Sequence, residues 1–248
     1  MSRNGLDVNT AALSVVSIAR GLMATAQNRE KGTPGFVALS GPTGFGKSTA
    51  CAYLANKHGA YYVECKSVWS KKALLENTIY AIFGRAYAKA TTVSGMLDQI
   101  SEQLAKSGRP LIIDEFDYLV EKAAVQIVRD IYESSKAAIM LVGEENMPAK
   151  LLKWERFHGR VLDWAVAPAA DMDDVRTLSG FYSSGITIQD DLLEHIHSKA
   201  KGSVRRITIN LVRVRQEAIY QGLSAISLKE WGKKELFTGE APQPRRQL

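Results

Sequence analysis

Phe36-Val37-Ala38-Leu39-Ser40, followed by Gly41-Pro42-Thr43-Gly44-Phe45-Gly46-Lys47-Ser48, decides how the rest of the chain is read. The first five residues form a short unbroken apolar run, the mark of a strand buried on both faces. The next eight match G-x-x-x-x-G-K-S/T, a loop that wraps phosphate. Its glycines permit tight turns that aim backbone N–H groups at an anion. Lys47 is placed to reach β- and γ-phosphates, and the Ser48 hydroxyl to ligate Mg2+. A helical stretch from Lys47 to His58 follows, with Gly59 as its C′ residue, and its positive dipole end faces the loop. Strand, loop and helix in this order are the context the motif requires. Gly41 through Thr49 are therefore the candidate nucleotide-binding residues.

Working outward, further short apolar runs read as strands: Ala60 to Lys66, Leu111 to Ile113, Ala138 to Val142 and Val161 to Val166. Helical stretches alternate with them, at about 70–83, 91–106 and 121–134. A first helix, capped by Asn9 or Thr10, is expected to run to about Asn28. Alternation of buried strands and helices predicts an α/β fold, a parallel five-stranded sheet with helices on both faces. Beyond Ala170 the strands stop. Helices are expected over 171–182, 189–201, 203–220 and 228–237, forming a small all-helical lid. The expected division is a core with the N-terminal helix over 1–168, the lid over 169–238 and a disordered tail over 239–248.

Composition narrows the classes. With 248 residues, 46% of them hydrophobic, the chain can bury a core without a disulfide or metal staple. Cys51 and Cys65 are too few for a disulfide framework or zinc cluster, and His58, His158, His195 and His197 show no metal-ligand spacing. No run reaches the ~18 apolar residues of a membrane span. Ala11 to Ala26 carries Arg20 inside its apolar stretch and reads as an amphipathic helix rather than a signal peptide. A cytoplasmic protein is expected. The net charge is +6. All of it lies in the last 48 residues, where ten basic side chains face four acidic ones, and this raises the expectation of a polyanionic partner.

The apolar run Leu111-Ile112-Ile113 ends in Asp114-Glu115. Asp114 is the candidate Mg2+ carboxylate, and Glu115 the base or positioning group for the attacking water. An Asp-Glu pair points to an NTPase that hydrolyses. Asp117 reads as a helix cap.

With both halves of the site in hand, the sequence resembles the AAA+ ATPases. The resemblance implies a polar sensor 1 residue after the fourth strand, in Gly143-Glu144-Glu145-Asn146, where Glu144 and Asn146 both remain candidates. It implies an arginine finger in Trp154-Glu155-Arg156-Phe157-His158-Gly159-Arg160, either Arg160 or Arg156, acting in trans in a homo-oligomer. It implies a sensor 2 arginine at Arg205, in Lys201-Gly202-Ser203-Val204-Arg205-Arg206. From Arg160 through Pro168, Asp173-Asp174-Val175-Arg176 and Gly202 to Leu211 the chain is most similar to the transposition target-selecting ATPases of the Mu B type. That implies ATP and Mg2+ as cofactors, a helical filament on double-stranded DNA, and a transposase partner. Only 35 residues precede the first strand, too few for the N-terminal helix-turn-helix domain of that type, so DNA contacts are expected from the AAA+ body. Candidate contacts are Lys66, Lys71, Lys72, Arg85 and Lys89 after the second strand, and Arg206 and Arg213, with Arg215, on the lid. Trp69 can serve as a wedge or as core. The alternatives are an AAA+ replication initiator or helicase loader and, from another class, a protein-directed or secretion-associated AAA+ ATPase.

Overall fold

The computed structural model describes residues 13–240. Asn9 and Thr10, the expected first caps, and 241–248 of the expected tail lie outside the described residues. Element α1 runs Ser14–Gln27, then β1 Phe36–Ser40, α2 Lys47–Lys57, β2 Tyr61–Glu64, α3 Lys71–Phe83, α4 Val93–Ser107 and β3 Leu111–Asp114. There follow α5 Asp117–Glu121, α6 Val125–Ser135, β4 Ile139–Gly143, α7 Met147–Leu151, α8 Glu155–His158 and β5 Val161–Val166. The remainder is α9 Met172–Tyr182, β6 Thr187–Ile188, α10 Asp190–Ala200, α11 Val204–Tyr220, β7 Ala225–Ile226 and α12 Leu228–Trp231.

The five long strands form one parallel sheet in the order β2-β3-β4-β1-β5. Register aligns the ends that matter: Ser40 pairs with Gly143, and Glu64 with Asp114. The residues following β1, β3 and β4 therefore emerge together at the carboxyl edge of the sheet, where open α/β folds bind ligands. β1 and β4 are buried at every position, as both-face coverage requires. Phe36, Ala38, Tyr61, Val63, Leu111, Ile113, Ile139 and Leu141 belong to one core with residues of α3, α4 and α6. Within it Phe36 stacks on Phe157, with ring centroids 4.7 Å apart.

Local chemistry explains the boundaries. Ser70 caps α3 and Thr92 caps α4, each hydroxyl accepting a backbone N–H three residues on. Gly108 ends α4 at φ 63°. Asp171 and Asp174 form a reciprocal capping box at the start of α9.

Several expectations are corrected. The helix expected over 121–134 is two helices, α5 and α6, because Ala123 turns into the left-handed region and Ala124 N–H donates back to Leu119. The lid is not all helical, since β6 and β7 form a parallel two-stranded pair. Two-residue strands are too short to leave a period in sequence. The helix expected over 228–237 stops at Trp231, where Gly232 leaves the helix at φ 69°. The described residues divide into two compact units: Val15–Thr43 with Lys47–Ala167, and Gly44–Gly46 with the chain from Pro168 on, together with 13–14.

Candidate active site

The phosphate loop joins β1 to α2. Gly41, Gly44 and Gly46 have φ of 153°, 87° and 84°, values that L side chains rarely adopt. A Cβ on Gly41 would also lie 2.9 Å from the Ala167 Cβ, so the turn has no room for a larger residue. Lys47 Nζ donates to Gly41 O at 2.6 Å and Pro42 O at 2.9 Å. Burial lowers the pKa of this ammonium, while the charges of Asp114, Glu115, Asp117 and Glu144 act to raise it. Lys47 thus rests on its own loop carbonyls, within the field of four carboxylates. Ser48 and Thr49 lie in the first turn of α2, with the Ser48 side chain exposed.

Asp114 ends β3 and is 2% exposed. Its Oδ1 accepts the Glu115 N–H at 2.9 Å, and its Oδ2 accepts the Tyr62 hydroxyl at 3.0 Å. Burial, then the Asp114 charge, drives the Tyr62 phenol far above its ordinary range, so it stays a donor. No sequence motif singles out Tyr62. The available signal was weak: alternation on β2 sends Tyr61 and Val63 to the core, leaving Tyr62 on the other face, and only strand pairing places it diagonal to Asp114.

Glu115 has φ 53°, a left-handed conformation unusual for a non-glycine residue. Burial first, then the Asp114 charge, raises its carboxyl above the ordinary range, with Lys47 opposing. Asp117 is corrected from cap to first residue of α5, whose N-cap position is Phe116. It is buried, and its Oδ2 accepts the Glu144 N–H at 2.7 Å while Lys150 lies 3.5 Å from its Oδ1. Asp117 therefore ties the loop after β4 to the loop after β3. Gly143 leaves room for this bond, since a Cβ there would collide with the Asp117 carboxylate as it is placed.

Of the two sensor 1 candidates, Glu144 directly follows β4, and its charge is felt by both Lys47 and Glu115. Asn146 occupies the N-cap position of α7, and its side chain makes no capping bond. Arg160 precedes β5 at the opposite sheet edge, where its carbonyl accepts the Phe36 N–H at 3.1 Å. A five-residue strand of ~3.3 Å rise per residue separates that edge from the phosphate loop. Arg160 Nε pairs with Glu133 at 2.6 Å, and Arg156 is exposed on α8. Neither arginine is brought to the Lys47–Asp114 cluster of its own chain. Arg205 lies in the first turn of α11, and its N–H donates to Gly44 O at 3.0 Å.

The cationic candidates differ in exposure and in partners, and Arg85 and Arg213 are exposed although each lies over an aromatic ring. Lys66, Lys71 and Lys72 are exposed around the β2–α3 connection, with Val68 83% exposed between them. Trp69 is partly buried and packs against the core. Lys89 bonds the Tyr80 hydroxyl at 3.0 Å and pairs with Glu76 at 3.5 Å, and Arg85 lies over the same Tyr80 ring. Arg213 lies over Phe237, Arg206 lies against Gly239, and Arg215 donates to Ser184 O at 3.1 Å.

The donor set fits a Mg-nucleotide: a glycine cradle, one ammonium, one serine hydroxyl and one buried carboxylate, with water and phosphate oxygens completing a magnesium shell. Among the described residues no three His, Cys, Asp or Glu side chains gather as a self-sufficient metal site. Nor, among them, is any helix long and apolar enough to cross a membrane.

Residues 29–151 match the model of a family described as AAA domain. None of the curated proteins matches the chain. Among solved structures, the chain is similar to the ORC1 protein of Aeropyrum pernix in complex with DNA, at 16% identity and a TM-score of 0.62, covering 90% of this chain and 65% of that one. It is similar to the ORC2 protein of the same organism in its ADPNP-ADP complexes, at 16% identity and a TM-score of 0.64, covering 92% and 70%. It is also similar to Cdc6p of Pyrobaculum aerophilum, at 14% identity and a TM-score of 0.59, covering 92% and 68%. The chain thus spans just under two thirds of the ORC1 structure, and at these identities the likeness is one of fold. Residues 29–151, just under half of the chain, thus resemble the AAA domain, and the five-stranded parallel α/β fold is shared with these structures.

Proposed function

We propose that this chain hydrolyses ATP and uses its nucleotide state to control binding of double-stranded DNA, as a homo-oligomeric target selector for a transposase. The observation that carries the ATPase reading is Glu115, a carboxylate held in a left-handed backbone beside buried Asp114 and facing the field of Lys47. Strain of this kind persists where a site over-determines it. In this reading the loop amides and Lys47 bind the phosphates, and Lys47 exchanges its carbonyl partners for phosphate oxygens. Ser48 and Asp114 would hold Mg2+, which when bound neutralises charge on the β- and γ-phosphates. Glu115 accepts the proton of a water whose oxygen bonds the γ-phosphorus as the bond to the β–γ bridging oxygen breaks. Arg160 or Arg156 would serve the neighbouring subunit's site, and Arg205 and Glu144 or Asn146 would report the γ-phosphate. Lys66, Lys71 and Lys72, all exposed, support contacts to the DNA backbone without sequence preference.

A second reading, a replication initiator or helicase loader, is favoured by likeness of fold to the ORC1 protein in complex with DNA. One set of measurements separates these. Wild type should hydrolyse ATP, with the rate changed by plasmid DNA, and Glu115→Gln should lose at least ~100-fold in rate while still binding nucleotide. Wild-type rates in Glu115→Gln would overturn the assignment of the base. Electron microscopy should reveal filaments coating duplex DNA only with ATP; closed rings indifferent to DNA would overturn the target-selector reading. Stimulation of helicase loading without stimulation of strand transfer would select the second.

A further inference from the structure

Asp114 is held at two points by groups of its own chain. The Glu115 N–H reaches Oδ1 at 2.9 Å, and the Tyr62 hydroxyl reaches Oδ2 at 3.0 Å. The χ2 torsion of an aspartate is broad, so a carboxylate held at one oxygen can swing. Held at both, its plane is set. Tyr62 reaches it because β2 and β3 are parallel in a register that pairs Tyr62 with Ile112, two residues before Asp114 on the same sheet face. α2, which begins with Lys47 and Ser48, packs against these two strands. A phenol has one proton to donate, so this bond leaves the second lone pair of each carboxylate oxygen to accept from elsewhere.

We infer that Tyr62 is a positioning residue for Asp114, fixing the orientation in which that carboxylate receives a hydrated magnesium ion bound with nucleotide. The inference rests on the proposed reading of Asp114 as the magnesium carboxylate. Partners that orient metal ligands from behind typically contribute ~10–100-fold to metal affinity. Tyr62→Phe removes a single oxygen and keeps the ring in place.

The test uses the full chain and a fluorescent ATP analogue, with binding followed as Mg2+ is titrated from EDTA upward. In wild type, binding should tighten with Mg2+, and in Asp114→Asn most of that dependence should vanish. Tyr62→Phe should bind the analogue as wild type does in EDTA, with a thermal midpoint lower by only a few degrees for the lost hydrogen bond, and should need about tenfold more Mg2+ for half-maximal tightening. A tyrosine that only fills space would leave the Mg2+ midpoint where it is. Wild type insensitive to Mg2+, or Asp114→Asn retaining full sensitivity, would overturn the reading of the site and this inference with it. Wild type and Asp114→Asn behaving as expected, with Tyr62→Phe at the wild-type Mg2+ midpoint, would overturn this inference alone. Weaker binding of Tyr62→Phe in EDTA would likewise count against it, because the hydroxyl would then serve the fold or the nucleotide rather than the ion.

Discussion

Glu115 has φ 53°, and its carboxyl is raised by burial and by Asp114. Left-handed backbone costs an L residue ~1–2 kcal/mol, a cost glycine does not bear. Glu115→Gly should therefore stabilise the fold by ~1 kcal/mol and lift the unfolding midpoint by ~2–4 °C, while abolishing hydrolysis. The pH dependence has a definite sign. A carboxyl whose folded pKa is raised keeps its stability below the ordinary carboxylate range and loses it as pH rises through the raised value. The gain from Glu115→Gly should accordingly be larger at pH 7 than at pH 4, and melts at the two values check it. Lys47, Asp114 and Glu115 were legible in sequence because each belongs to a contiguous motif whose geometry is local. Tyr62 and Asp117 were not, since one acts across a strand pair and the other across the loop after β4.

Among the elements, α11 illustrates a connection that periodicity cannot reveal. Asn210 is fully buried on it, donating through Nδ2 to Phe237 O at 3.0 Å and accepting the Phe237 N–H through Oδ1 at 2.7 Å. These two bonds anchor the segment after α12. Asn210→Ala leaves both backbone groups without their partner and should cost ~1–3 kcal/mol. Limited proteolysis should then cut near Phe237 sooner than in wild type, and an unchanged digestion pattern would argue against the anchor. The sheet strands were readable as apolar runs because burial on both faces leaves a continuous signal. The break between α5 and α6, the short α7 and α8, and the β6–β7 pair were not. Elements of two to five residues span barely a turn or a single pleat, so they carry no period.

At the scale of the whole molecule, net charge is a poor map of where cations are available. The +6 excess lies in the last 48 residues. There Arg206 and Arg215 are turned to Gly239 and Ser184 and are only partly exposed, and Lys234 pairs with Glu217 at 3.1 Å, whereas Arg205, Arg213, Lys229 and Lys233 are exposed. The neutral remainder exposes Lys66, Lys71 and Lys72. With three phosphate contacts per protomer, log K for duplex DNA should fall with log salt at a slope of about −2.7, from ~0.9 per contact. Lys71→Glu with Lys72→Glu should flatten it by about 1.8, and Arg215→Ala, whose guanidinium bonds Ser184 O, should leave it unchanged. Fluorescence anisotropy between 50 and 200 mM salt, ranges in which such slopes are read, would measure this; an unaltered slope in the double variant would exclude the β2–α3 connection as the contact. By itself the sequence determined the phosphate loop, the Asp114–Glu115 pair, the alternation of strand and helix, and hence the parallel sheet, because backbone propensity and burial period are short-range properties. Only the tertiary structure decided which polar groups meet. Strand order and register brought Tyr62 to Asp114, the loops after β3 and β4 joined through Asp117, and packing determined which cations are engaged and which are exposed. Those outcomes depend on distances between residues far apart in the chain, which no local pattern encodes.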